Sequence, residues 1–129
     1  MSNAPPQLLL VDDEDVFLLL TRTLLERAGF AVTPVSESPL AVELVEQGFR
    51  PDVILLDFRM PVLTGPEVLK KLRAAGSSAP AVLVSAIRDV EREGALHGFD
   101  SAVAKPFSSK GLVDVVNGLL RRRSGSFPP

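Results

Sequence analysis

Short apolar runs alternate along this chain with longer stretches of helical period. "QLLLV" (7–11), "FAVTPV" (30–35), "DVILLD" (52–57), "AVLVS" (81–85) and "SAVA" (101–104) are apolar at nearly every position. A strand that is apolar on both sides is buried on both faces, as in a parallel sheet covered by helices. The stretches between and after them, at 15–28, 37–48, 65–75, 88–97 and 108–122, are long enough for helices. Leu20, Leu24 and Ala28 recur every four residues before Gly29, where a helix end favours a left-handed residue. Ser36 and Ser38 are candidate N-caps for a helix that stops at Gly48. Thr64 precedes "GPEVLKKLRAAG", with Pro66 in the first turn and Gly76 at the end. Repeated strand–helix alternation predicts an α/β domain: a doubly wound, five-stranded parallel sheet with five helices on its two faces.

Length and composition narrow the function classes. The 129 residues suit one domain, expected at 7–122, with 1–6 and 123–129 as flexible termini rich in Pro, Ser, Gly or Arg. A net charge of −2 gives no general attraction to nucleic acid. The absence of cysteine excludes disulfides, thiolate metal ligands and a Cys nucleophile. A single histidine, His97, excludes a multi-His zinc site and reads as a helix-end residue. No apolar run reaches the ~20 residues that span a bilayer, and "MSNAPPQ" lacks the basic and apolar regions of a signal peptide. The expected location is cytoplasmic. Arg121, Arg122 and Arg123 read as a basic last turn running into a frayed tail.

Open α/β sheets bind ligands at the carboxyl ends of their strands. Asp12 and Asp13 follow the first run, Asp57 ends the third, Ser85 the fourth, and Lys105 follows the fifth. The second ends at Val35 and Ser36 with nothing comparable. Glu14 and Asp15 belong to the first turn of the following helix, where acids favour the dipole. Carboxylates gathered on one rim need a compensating charge, and an all-oxygen set suits a hard cation such as Mg²⁺. A carboxylate beside a metal, an ammonium and a hydroxyl is a constellation for phosphoryl transfer.

These residues carry a family likeness. "LLLVDDE", "DVILLDFRMPVLTG", "VLVSA" and "AVAKPF" occur in the order of the four signature stretches of a response-regulator receiver domain, and the chain resembles that family from about Gln7 to Leu120. The resemblance implies a flavodoxin-like receiver fold with strand order 2-1-3-4-5. It implies Asp57 as phosphoacceptor, and Mg²⁺ held by Asp12, Asp13, Asp57 and the backbone carbonyl of Arg59. It also implies that Ser85 and Lys105 bind the phosphoryl group, that the bond before Pro106 is cis, and that the phosphate comes from a histidine kinase or a histidine phosphotransfer protein.

Some positions depart from the family pattern. Ala102 stands where the family usually has an aromatic ring that swings inward on phosphorylation, so the face built from the fourth and fifth helices is expected to respond little. Gly94 in mid-helix predicts a short fourth helix. If Phe17, Leu20, Leu24 and Ala28 face the core, Leu18 and Leu19 point outward and, with Arg22, form a partner face where the phosphodonor docks. The expected role is a receiver acting alone as a switch or phosphate shuttle, a monomer or weak homodimer with a possible downstream protein target and no enzymatic turnover of its own beyond self-phosphorylation and autodephosphorylation. The rivals are a degenerate receiver serving only as a binding or dimerisation module, and a small Mg²⁺-dependent phosphohydrolase. The latter usually has a second Asp two residues after its nucleophile, where this chain has Arg59.

Overall fold

The computed structural model describes residues 4–124. Its elements run β1 (Gln7–Val11), α1 (Asp15–Arg27), β2 (Ala31–Val35), α2 (Ser38–Glu46), β3 (Val53–Leu56), α3 (Gly65–Ala74), β4 (Ala81–Ser85), α4 (Val90–Leu96), β5 (Ser101–Ala104) and α5 (Ser109–Ser124). All strands are parallel, in the order β2-β1-β3-β4-β5. Pro34, which cannot donate a ladder hydrogen bond, lies in β2 at the sheet edge.

The continuous apolar runs divide between the two faces. Leu9, Val11, Ile54, Leu56 and Leu83 pack with Val42 and Val45 of α2 and Val68 and Leu72 of α3. Their neighbours Leu8, Leu10, Val53, Leu55 and Val82 point the other way, into Leu25 of α1 and Leu112 and Val116 of α5. Side chains alternate along a strand, so a strand covered on both faces needs an apolar residue at every position.

Several local expectations need correction. Leu18 is half-buried against the α1–α5 core, whereas Leu20 is 61% exposed beside Leu19 at 62% and Val16 at 73%. The α1 seam runs through Leu18, Thr21 and Leu25, and Ala28 lies exposed beyond the helix. Five consecutive apolar residues cannot phase a helix, and the buried Thr21 disguised the seam. Neither Ser36 nor Ser38 caps α2: Glu37 is the N-cap residue and makes no side-chain cap bond. Ser38 is buried instead, its Oγ donating to the Pro61 carbonyl at 2.9 Å and accepting from the Leu63 N–H at 3.1 Å. Finally, α5 extends beyond 122 to Ser124, because Arg123 reaches back to the carbonyls of Pro51 and Asp52 at 3.1 and 2.9 Å. Of the expected flexible ends, residues 1–3 and 125–129 lie outside the described residues, while the Pro6 carbonyl accepts a bond from the Ala31 N–H.

Candidate functional site

Because the strands are parallel, their carboxyl ends share one rim, and the backbone ladder continues into the polar residues there. The Asp12 N–H donates to Val35, that of Asp57 to Val11, and that of Lys105 to Ser85, at 3.1, 3.1 and 2.9 Å. Each side chain therefore starts from a backbone held by its neighbour strand. Asp12, Asp13 and Asp57 each present a carboxylate oxygen, all within 4.8 Å of one another. Ser85 is buried at the end of β4, and with Asp57, Arg59 and Lys105 it lines an open cleft.

Lys105 joins the acids. Its Nζ donates to Asp12 Oδ2 at 2.7 Å and to Asp57 Oδ2 at 2.9 Å, and lies 3.7 Å from Glu14. The Lys105, Asp12 and Asp57 side chains are only 5%, 7% and 8% exposed, so water screens these pairs little. The other oxygen of each carboxylate is also engaged: Asp12 Oδ1 accepts from the Glu14 N–H at 3.0 Å and Asp57 Oδ1 from the Phe58 N–H at 2.7 Å. Burial pushes the Asp12 carboxyl above its ordinary range, and the Asp57 charge adds to this, outweighing the pull of Lys105 in the other direction. Burial opposes the Lys105 charge too, but bonds to two carboxylates carry the ammonium above its ordinary value. The same upward direction favours the charged form of Lys105, which faces two acids, and disfavours that of Asp12, which is buried and shares one cation with a second acid.

Several neighbours shape the site. Gly65 opens α3 directly against the Asp57 backbone: a Cβ there would overlap the Asp57 carbonyl oxygen, so no side chain fits. Thr64 caps the same helix in a reciprocal box with Glu67. The Lys105–Pro106 peptide is cis. Ala102 packs where α4 comes down on β5, and a Cβ on Gly94 would lie 3.1 Å from that of Ala102. The helix is short, as Gly94 implied, at seven residues. His97 ends α4 edge-on to Phe58, with ring centroids 5.6 Å apart. Arg22 is exposed and pairs with Glu26 at 3.2 Å, one turn from Leu19.

One contact had no place in the sequence reading. The Lys105 ammonium lies 4.2 Å from the centroid of the Phe17 ring, which in turn meets Phe107 edge to face at 5.8 Å. Phe17 looked like a generic core residue of α1, and nothing in its spacing tied it to a lysine on the opposite side of the sequence. The available signal was scarcity: the chain has seven Phe and no Tyr or Trp, and one Phe lies two residues after Lys105.

The all-oxygen donor set, with two carboxylates nearly buried, fits a small hard cation. Among the described residues, no helix is long and apolar enough to cross a membrane. A sequence model of the response regulator receiver domain matches residues 8–117. The chain is 37% identical over 117 residues to the sensory transduction protein RegX3 of Mycolicibacterium smegmatis, covering 88% of this chain and 50% of that protein. It thus spans about half the length of the curated relatives it matches. A response regulator receiver protein from Sinorhizobium medicae superposes with a TM-score of 0.84 at 34% identity, covering 95% of this chain and 99% of that one. The receiver domain of a Pseudomonas aeruginosa sensor histidine kinase, whose structure has a magnesium ion coordinated in the active-site cleft, superposes at 0.83 with 30% identity, covering 91% and 98%. With a carboxylate–lysine rim on a 2-1-3-4-5 sheet and a matching span of this extent, the chain belongs to the response regulator receiver domain family.

Proposed function

We propose that this chain is a phosphoacceptor receiver, phosphorylated on Asp57 in a Mg²⁺-dependent reaction. The observation that carries the proposal is the bridge from Lys105 Nζ to both Asp12 and Asp57, with Asp13 completing the acidic cluster. Asp12, Asp13 and Asp57, with the Arg59 carbonyl, would hold the ion, whose charge offsets that of the incoming phosphoryl oxygens. An Asp57 carboxylate oxygen attacks phosphorus, the bond from phosphorus to the donor's imidazole nitrogen breaks, and that nitrogen leaves with the bonding pair. Lys105 follows the negative charge from the carboxylate to the phosphoryl oxygens, and the Ser85 hydroxyl donates to one of them. The donor is a histidine kinase or a histidine phosphotransfer protein, docking beside the rim on the exposed α1 face of Val16, Leu19 and Leu20 next to Arg22. Catalysis is confined to the domain's own phosphorylation and the later loss of the phosphate. A downstream protein target reads the phosphorylated form.

Intact mass after incubation with acetyl phosphate, with and without Mg²⁺, tests the proposal on wild type and Asp57→Ala. An adduct of one phosphoryl group that needs Mg²⁺ and disappears in the variant supports it. No adduct, together with no spectral response to beryllofluoride and Mg²⁺, would sink it.

The close fit of Ala102 under Gly94 favours a second reading, a receiver that binds partners without phosphorylation. No ring is present at that position to move, and α4 leaves little room for one. Partner affinity that is equal with and without beryllofluoride would select this reading.

A further inference from the structure

We infer that Phe17 is a positioning residue for Lys105: its ring face, braced by Phe107, seats the ammonium so that it can move between the two carboxylates and a phosphoryl group on Asp57. The inference rests on the receiver chemistry proposed above and adds a residue to it. An ammonium has three donors. Two of those on Lys105 are taken by Asp12 and Asp57. Nζ also lies 4.2 Å from the Phe17 centroid, where the negative face of an aromatic ring attracts a cation. The ring also excludes water from a side chain that is only 5% exposed, which strengthens each charge interaction the ammonium makes. It accepts no directional hydrogen bond, so it holds the cation near the site without competing with the oxygens for its protons.

The support for the ring comes from the segment that carries the lysine. Phe107 lies two residues beyond Lys105 and meets Phe17 edge to face, at 5.8 Å and 66°. The lysine and the brace therefore move with one segment, and the ring with α1. Val16, exposed beside Phe17, and Leu19 and Leu20 one turn on give the same helix its apolar outer surface. A packing role alone would need only an apolar side chain of this size, and leucine would serve. Seating the ammonium requires the π face.

Two substitutions at position 17 separate these roles. Phe17→Leu keeps an apolar side chain and removes the π face. Pentafluorophenylalanine at position 17 keeps the ring shape and inverts its electrostatic face. The rate of adduct formation with acetyl phosphate and Mg²⁺ is measured by intact mass, and the unfolding midpoint of each protein is measured beside it. Both substitutions are expected to slow adduct formation about three- to tenfold, while Phe17→Trp stays within about twofold of wild type. Because the chain has no Trp, that variant also reports directly: its fluorescence is expected to shift when beryllofluoride and Mg²⁺ draw the ammonium toward the new anion. A fluorinated ring that reacts at the wild-type rate would overturn the positioning role even if the leucine variant fails to fold. Failure of wild type to form any adduct would instead overturn the receiver chemistry and this inference with it.

Discussion

At the scale of single residues, Lys105 decides whether the acidic rim is tolerable in the folded state. It bridges Asp12 and Asp57, and all three side chains are nearly buried. Removing one partner of such a cluster leaves charge uncompensated, at a cost of about 3 kcal/mol. Lys105→Ala is therefore expected to lower stability by that order in urea unfolding without divalent ions, with Mg²⁺ restoring much of the loss. A variant as stable as wild type without Mg²⁺ would mean that the carboxylates do not repel strongly. The pH dependence has a definite sign. The lysine's folded-state pKa is raised above 10.5, so its contribution is full below that value and is lost as pH rises through the folded-state value. Val62 carries a different stress. It is β-branched, 81% exposed, and held at φ 71°. That left-handed conformation costs an L-residue roughly 1–2 kcal/mol, and Asn tolerates it far better. Val62→Asn should raise the denaturation midpoint by the equivalent of about 1 kcal/mol, with an unchanged slope.

At the scale of elements, α3 and α4 show how local rules meet packing. The α3 start is legible from sequence in Thr64, and the structure adds Glu67 to the cap, with the Thr64 N–H donating to the Glu67 carboxylate at 2.9 Å and the Glu67 N–H to the Thr64 hydroxyl at 3.3 Å. Thr64→Ala should cost about 1 kcal/mol. The Thr64 N–H and hydroxyl hold the Glu67 carboxyl below its ordinary 4.5. Its contribution is thus present above 4.5 and lost as pH falls through the lowered value. The stability gap between wild type and Glu67→Gln should therefore close on acidification, and a gap that persists at low pH would assign the effect to something else. In α4 the local rule reverses. A mid-helix Gly replaced by Ala ordinarily gains up to ~1 kcal/mol. Here the new methyl would crowd Ala102 at 3.1 Å, so Gly94→Ala should give no gain in wild type and a gain in an Ala102→Gly background. Equal effects in both backgrounds would show that the α4–β5 contact yields freely. α1 gives the opposite lesson about legibility. Its existence and length are clear from sequence, but which side of "VFLLL" faces inward is not, because a fully apolar run has no phase.

At the scale of the whole molecule, the order β2-β1-β3-β4-β5 places β1, β3 and β4 inside and leaves β2 and β5 at the edges. Every residue of β3 and β4 is buried, whereas β5 and most of β2 are not. Amide hydrogen exchange should be slowest in β1, β3 and β4, and faster in β2 and β5. Protection of β5 equal to that of β4 would contradict this ranking. The sequence by itself determined the five strands and five helices, the parallel α/β class and the rim residues, because these follow from local period, from capping chemistry and from which residue ends each strand. Only the tertiary structure decided that Lys105 bonds Asp12 across 93 residues, that Phe17 lies against that lysine, that Leu18 turns inward while Leu20 turns out, and that Ala102 packs beneath Gly94. Such contacts depend on strand order, helix rotation and the approach of one backbone to another, and a period of two or 3.6 along the chain carries none of these.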